Sequence, residues 1–94
     1  MHVTIDERNY SVIWRYDSVQ KKKYLQKITT CSLKRGDEVI ATGNTVCYKG
    51  DCFRKNEGRK ISMARALHGV AQFGKEVRTQ FWNAYREMRH GQML

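Results

Sequence analysis

The feature that most constrains this chain is a change of period across residues 51–67, DCFRKNEGRKISMARAL. Upstream of it apolar residues alternate or cluster as they do in strands. Downstream they recur every three or four positions, as they do on helices. In 94 residues that single switch predicts one α+β domain over residues 1–94, with a sheet across about 9–48 and a helical half across about 58–90.

Within the first half, Tyr10, Val12, Trp14 and Tyr16 alternate with Ser11, Ile13 and Arg15, the pattern of a strand with one buried face. Residues 17–23 contain Lys21-Lys22-Lys23 and read as a solvated loop or the charged start of a strand. A solubilising turn and a phosphate-contacting loop both fit that triplet. Residues 24–33 are rich in β-branched side chains and end in Lys34-Arg35-Gly36-Asp37, a turn of hairpin length. Residues 38–48 then return antiparallel, with Gly43-Asn44 read as a bulge or bend. A three-stranded meander is expected.

After the turn Lys49-Gly50-Asp51, Cys52 and Phe53 are expected over the open end of the sheet, and Asp51 or Asn56 is the expected cap of a helix beginning near Gly58. Ile61, Ala64, Leu67 and Ala71, with Met63, Ala66 and Val70 beside them, form its predicted apolar stripe; Ser62, Arg65, Gly69 and Gln72 fall on the opposite side. Gly69, Phe73 and Gly74 mark a break. A second helix follows from about Lys75 to His90, with Val77, Phe81, Ala84, Tyr85 and Met88 on one face and Gly91 as its stop. The expected architecture is a three-stranded antiparallel sheet followed by two C-terminal helices packed on one face.

Charge narrows the partner class. Lys and Arg number 18 against 9 acids, a net +9, and residues 54–94 hold nine of the basic groups with only three acids. A balance of this sign favours polyanions: nucleic acid, a nucleoprotein complex, the acidic surface of another protein or an anionic membrane. No apolar run approaches the ~20 residues that span a bilayer, and MHVTIDERNY lacks the apolar centre of a secretion signal, so a cytoplasmic protein with no membrane partner is expected. Three cysteines, Cys31, Cys47 and Cys52, suit reduced thiols better than a disulfide framework.

Candidate binding residues fall in two groups. Arg54, Lys55, Arg59, Lys60 and Arg65 crowd the start of the first helix, where N–H groups and the helix dipole favour an anion; a solvated basic helix end fits the same residues. Lys75, Arg78, Trp82, Arg86 and Arg89 form a stripe on the second helix. Cations interleaved with an aromatic suit phosphate contact with stacking, and they suit still better a core edge in which arginine stems cover an indole. The cysteines with His68 or His2 lack the paired spacing of a zinc site, so no metal and no cofactor is predicted, and the thiols read as structural. No H-E-x-x-H, paired acidic motif or glycine-rich phosphate loop occurs, and a non-enzymatic role is expected.

Gly43-x-x-x-Cys47, Asp51-x-Phe53, Gly58-Arg59-Lys60, Ala64-Arg65-Ala66-Leu67 and Phe81-Trp82-x-Ala84-Tyr85 together resemble a pattern found in short accessory proteins of bacteriophages and prophages. The resemblance covers about half the chain. It implies a binding role in the host cytoplasm, either on nucleic acid or as a stoichiometric, anti-CRISPR-like inhibitor of a host defence nuclease. Many such inhibitors are acidic DNA mimics, and this chain departs from them in being strongly basic. As an inhibitor it would rely on apolar anchors such as Trp14, Tyr24 or Trp82. Open sheet edges also allow a homo-oligomer.

Overall fold

The computed structural model describes the backbone of residues 1–23, 25–47 and 55–93, and the side chains of residues 1–23, 25–46 and 57–88. Four strands precede two helices: β1 (His2–Ile5), β2 (Arg8–Gln20), β3 (Leu25–Arg35), β4 (Glu38–Cys47), α1 (Lys55–His68) and α2 (Lys75–Met93). The strands form one antiparallel sheet in the order β1-β2-β3-β4, so the class is α+β as expected and the sheet has four strands rather than three. The additional strand, β1, is four residues long and turns into β2 through Asp6 and Glu7, whose φ angles are 50° and 66°. A two-residue hairpin needs left-handed residues to match the strand twist, and Gly or Asn normally supplies them. Here two acidic residues do so, and no turn signal marks the sequence.

The second difference lies in β2. The polar run after Tyr16 stays in the ladder, with Asp17 opposite Ile28 and Gln20 opposite Leu25. At about 3.3 Å per residue β2 is about 40 Å long, close to the 48 Å long axis of the molecule. The Cα radius of gyration, 14.4 Å, exceeds the roughly 12 Å of a compact chain this size, in keeping with a hairpin that overruns its core.

A third correction concerns Gly43. The register shift falls between Leu33 and Lys34, where Leu33 faces Ala41 and Lys34 faces Val39, leaving Ile40 as the extra residue of a bulge. Gly43 stays in regular register opposite Cys31. Its missing side chain serves packing: a Cβ there would lie 2.5 Å from Ala66 N, closer still to Ser62 O and 2.8 Å from Arg65 Cβ. Helix α1 therefore rests almost backbone to backbone on β3 and β4.

That close approach turns α1 away from its predicted orientation. Gly58, Ser62 and Ala66, four residues apart, face the sheet, and Ser62 is fully buried while Ile61 remains 40% exposed. Ser62 fits because its hydroxyl donates within its own helix, to Gly58 O at 2.7 Å and Arg59 O at 3.2 Å. A serine whose polarity is satisfied locally is simply a small residue to the sheet. α1 starts at Lys55, so Asn56 lies inside its first turn; Asp51, Cys52 and Phe53 lie outside the described residues.

Helix α2 follows its predicted face. Phe81 and Tyr85 are buried, with Val77, Ala84 and Met88 packed at the margin, and α2 runs through Gly91 to Met93 instead of stopping there. Tyr10, Phe73 and Phe81 meet with ring centroids 5.5–5.6 Å apart, joining the loop after α1 to the start of β2. One core, built on Val12, Leu33, Leu67 and Phe81, links the sheet to both helices. Along β1 the outer face of the sheet carries the cross-strand polar pairs His2–Ser11 and Thr4–Asn9, at 3.2 and 2.9 Å.

Candidate functional site

The first predicted group divides. Arg54 lies outside the described residues, as does the side chain of Lys55, the first residue of α1. Arg59 and Lys60, adjacent in sequence, part company because a helix turns about 100° per residue. Arg59 leans over the end of the sheet: its carbonyl accepts from Trp14 Nε1 at 3.2 Å, and its guanidinium sits beside the Tyr85 and Tyr16 hydroxyls. Burial works against its charge, but hydrogen bonding to Tyr85 and the nearness of Tyr16 outweigh that, and its pKa is raised above the ordinary arginine value. Its Nε is buried without a hydrogen-bond partner. Lys60 points outward, with Nζ 4.0 Å from Glu57, a pairing of little energetic weight at an exposed site. Arg65 donates from Nη1 to Asn44 O on the edge strand β4, where a cation discourages pairing with another chain.

The second group divides similarly. Lys75 opens α2 and is exposed. Arg78 is half-buried and donates from Nη1 to Phe73 O at 3.0 Å. Trp82 is half-buried against Tyr85, ring centroids 6.1 Å apart and planes at 78°, so it belongs to the core margin. Arg86 is exposed; the side chain of Arg89 lies outside the described part. Tyr85 also meets Trp14 edge-on at 5.9 Å. Arg59 of the first group and Trp82 of the second therefore touch one residue, and the two groups converge at the end of the sheet where β2 leaves the core. The sequence separation of 26 positions between Arg59 and Tyr85 hid this junction.

The cations that remain most open are partly those the sequence treats as a turn. Residues 15–23 are exposed throughout and include Arg15, Lys21, Lys22 and Lys23. They lie on the far end of the β2–β3 hairpin, and the lengths of the two strands in the ladder are what place them there.

Two shallow clefts of about 360 and 300 Å³ adjoin at the opposite end, sharing Arg8, Tyr10, Gln72 and Phe73. Their walls combine arginine, aromatic and aliphatic side chains with Gln72 and, in the smaller cleft, Asp6, and the described lining sets no nucleophile against a base. Among the described residues no three His, Cys, Asp or Glu side chains gather as metal ligands. Cys31 is buried under α1, and burial pushes its thiol up to about 12; Cys52 and the side chain of Cys47 lie outside the described residues. No described helix is long and apolar enough to cross a membrane. Comparison of the chain with known protein families, curated proteins and solved structures finds no match.

Proposed function

We propose that this chain is a non-enzymatic binding protein that engages nucleic acid, or a nucleoprotein complex, through its cationic surface. The observation that carries the reading is positive charge left facing solvent. Lys75 and Arg86 on α2 have no carboxylate within 4.0 Å among the described residues, and Lys60 has one only at that limit. Unneutralised lysine and arginine on a chain of net +9 attract phosphate by releasing its counterions. The helical patch is smaller than the sequence predicts, since Arg59, Arg65 and Arg78 are held by contacts within the protein. A phage-type accessory role rests on the sequence resemblance alone.

The rival, a stoichiometric inhibitor of a host nuclease anchored by aromatics, has less support. Trp14 and Trp82 are packed into the core margin, and Tyr24 lies outside the described residues. The test is fluorescence anisotropy with labelled duplex and single-stranded DNA and RNA across a salt series. Binding is expected to weaken steeply with salt, and Lys75→Glu with Arg86→Glu to weaken it by about tenfold with an unchanged melting temperature. Failure of the parent protein to bind any of these nucleic acids at about 50 mM salt would sink the reading.

A further inference from the structure

Both helices pack on the face of the sheet that carries Val12, Leu33 and Ala41, and the described residues leave the other face open. Side chains alternate between the two faces along each strand, which assigns Ile13, Val19, Val39 and Val46 to the open one. They are 36–51% exposed and make up four of the seven large apolar residues left exposed in the described chain, so apolar exposure concentrates on that face. Its charged strand residues are Arg15, Asp17 and Lys34. Two cations less one carboxylate leave it at +1 on a chain of +9.

We propose that a second copy of this chain docks on the open face, sheet against sheet. Sparse charge is the first reason for that occupant. A polyanion is drawn to the more cationic surfaces, whereas two chains of +9 repel least where each carries least charge, and protein interfaces are depleted of charge at their centres. The order of side chains along β2 is the second. Ile13, Arg15, Asp17 and Val19 take successive positions on the open face. A two-fold axis passing over residue 16 sets Arg15 against the partner's Asp17 and Ile13 against the partner's Val19, and repeats each contact in reverse. Within one chain neither Arg15 nor Asp17 has an ion-pair partner among the described residues, so both charges are available. Area sets the strength. The strands are 4, 13, 11 and 10 residues long, and at about 3.3 by 4.8 Å per residue they present about 600 Å². A pair therefore buries at most about 1,200 Å², the lower end for specific interfaces, and associates in the micromolar range at best. The apolar pairs supply affinity and the two ion pairs fix the register. Lys60, Lys75 and Arg86 belong to the helices on the opposite face, so dimerisation neither requires nucleic acid nor blocks it.

The test is sedimentation velocity on nucleic-acid-free protein from about 1 to about 300 μM, a range that brackets a micromolar dissociation constant. The parent should pass from monomer to dimer across it. Asp17→Arg alone sets arginine against arginine at the two-fold, and Arg15→Asp alone sets carboxylate against carboxylate. Each should weaken association by at least about tenfold with an unchanged melting temperature. An equimolar mixture of the two variants pairs every cation with a carboxylate and should restore the dimer, although both variants remain strongly cationic. Parent protein that stays monomeric at the highest concentration would overturn the assignment. Single variants that dimerise as the parent does would overturn it too and place the contact elsewhere, at the open edge of β4 for example. A mixture that fails to recover would refute the register centred on residue 16. Each of these results leaves the nucleic-acid reading to its own salt titration.

Discussion

Replacing Gly43 by alanine tests the central feature of the fold, the near-contact of α1 with β4. The added Cβ would meet helix backbone, 2.5 Å from Ala66 N and closer to Ser62 O. Ordinary contacts are about 3.5 Å, so α1 must lift by about 1 Å, and a gap of that size forfeits a quarter to a half of the dispersion attraction beneath it. Met63, Ala66 and Leu67, at most 1% exposed, are all weakened in this way. Overpacking costs about 1–3 kcal/mol, and rigid backbone on the receiving side places this case at about 3 kcal/mol. A chain of this length has roughly 5–14 kcal/mol of stability, so the variant should fold, with a urea midpoint lower by about 2 M at an unchanged slope. Two other glycines act as controls. Gly74 has no atom within 4 Å of an added Cβ, so its alanine variant should be neutral. Gly36 has equal room but a φ of 61°, so alanine should cost about 1 kcal/mol through backbone strain alone. A Gly43 variant within about 0.5 kcal/mol of the parent, or three equal losses, would refute the close-approach argument.

Asp6→Asn with Glu7→Gly should stabilise by about 1 kcal/mol and raise the melting temperature by about 5 °C, because both residues sit at positive φ; a lower melting temperature would mean that the acidic pair is needed there. Thr29→Val should be neutral or stabilising by about 1 kcal/mol in urea titration, since Thr29 Oγ1 is buried with no hydrogen-bond partner; a loss above 1 kcal/mol would reveal a partner for that hydroxyl. Cys31, at about 12 against an ordinary 9.0, keeps its proton in the folded state between those values and loses it when unfolded. Its contribution to stability is therefore complete below pH 9 and falls as pH rises toward 12. The parent should lose more melting temperature than Cys31→Ala between pH 8 and 10.5, and parallel losses would contradict that assignment. Arg59→Ala should lower the melting temperature, because its guanidinium sits between Tyr16 and Tyr85, whereas Lys60→Ala should leave it unchanged.

The amino-acid sequence by itself determined the order of sheet before helices, the inward face of β2 through Tyr10, Val12 and Trp14, and the α2 face through Phe81 and Tyr85. These are local facts: periods of two and of 3.6 are written in neighbouring residues, and large apolar side chains leave little choice of side. It also determined the charge excess, a net +9. Tertiary structure alone decided what short-range pattern cannot carry. A turn through Asp6 and Glu7 holds only because β1 finds β2; Ser62 is buried rather than Ile61 because Gly43, nineteen positions earlier, admits the helix backbone. Arg59 and Trp82 share Tyr85, and the lysine triplet stands at the far end of the β2–β3 hairpin, because strand lengths and helix crossings bring distant positions together or hold them apart. Burial and exposure are properties of those long-range placements, which is why the surroundings of Arg59, Arg65 and Arg78 became legible only in the folded chain.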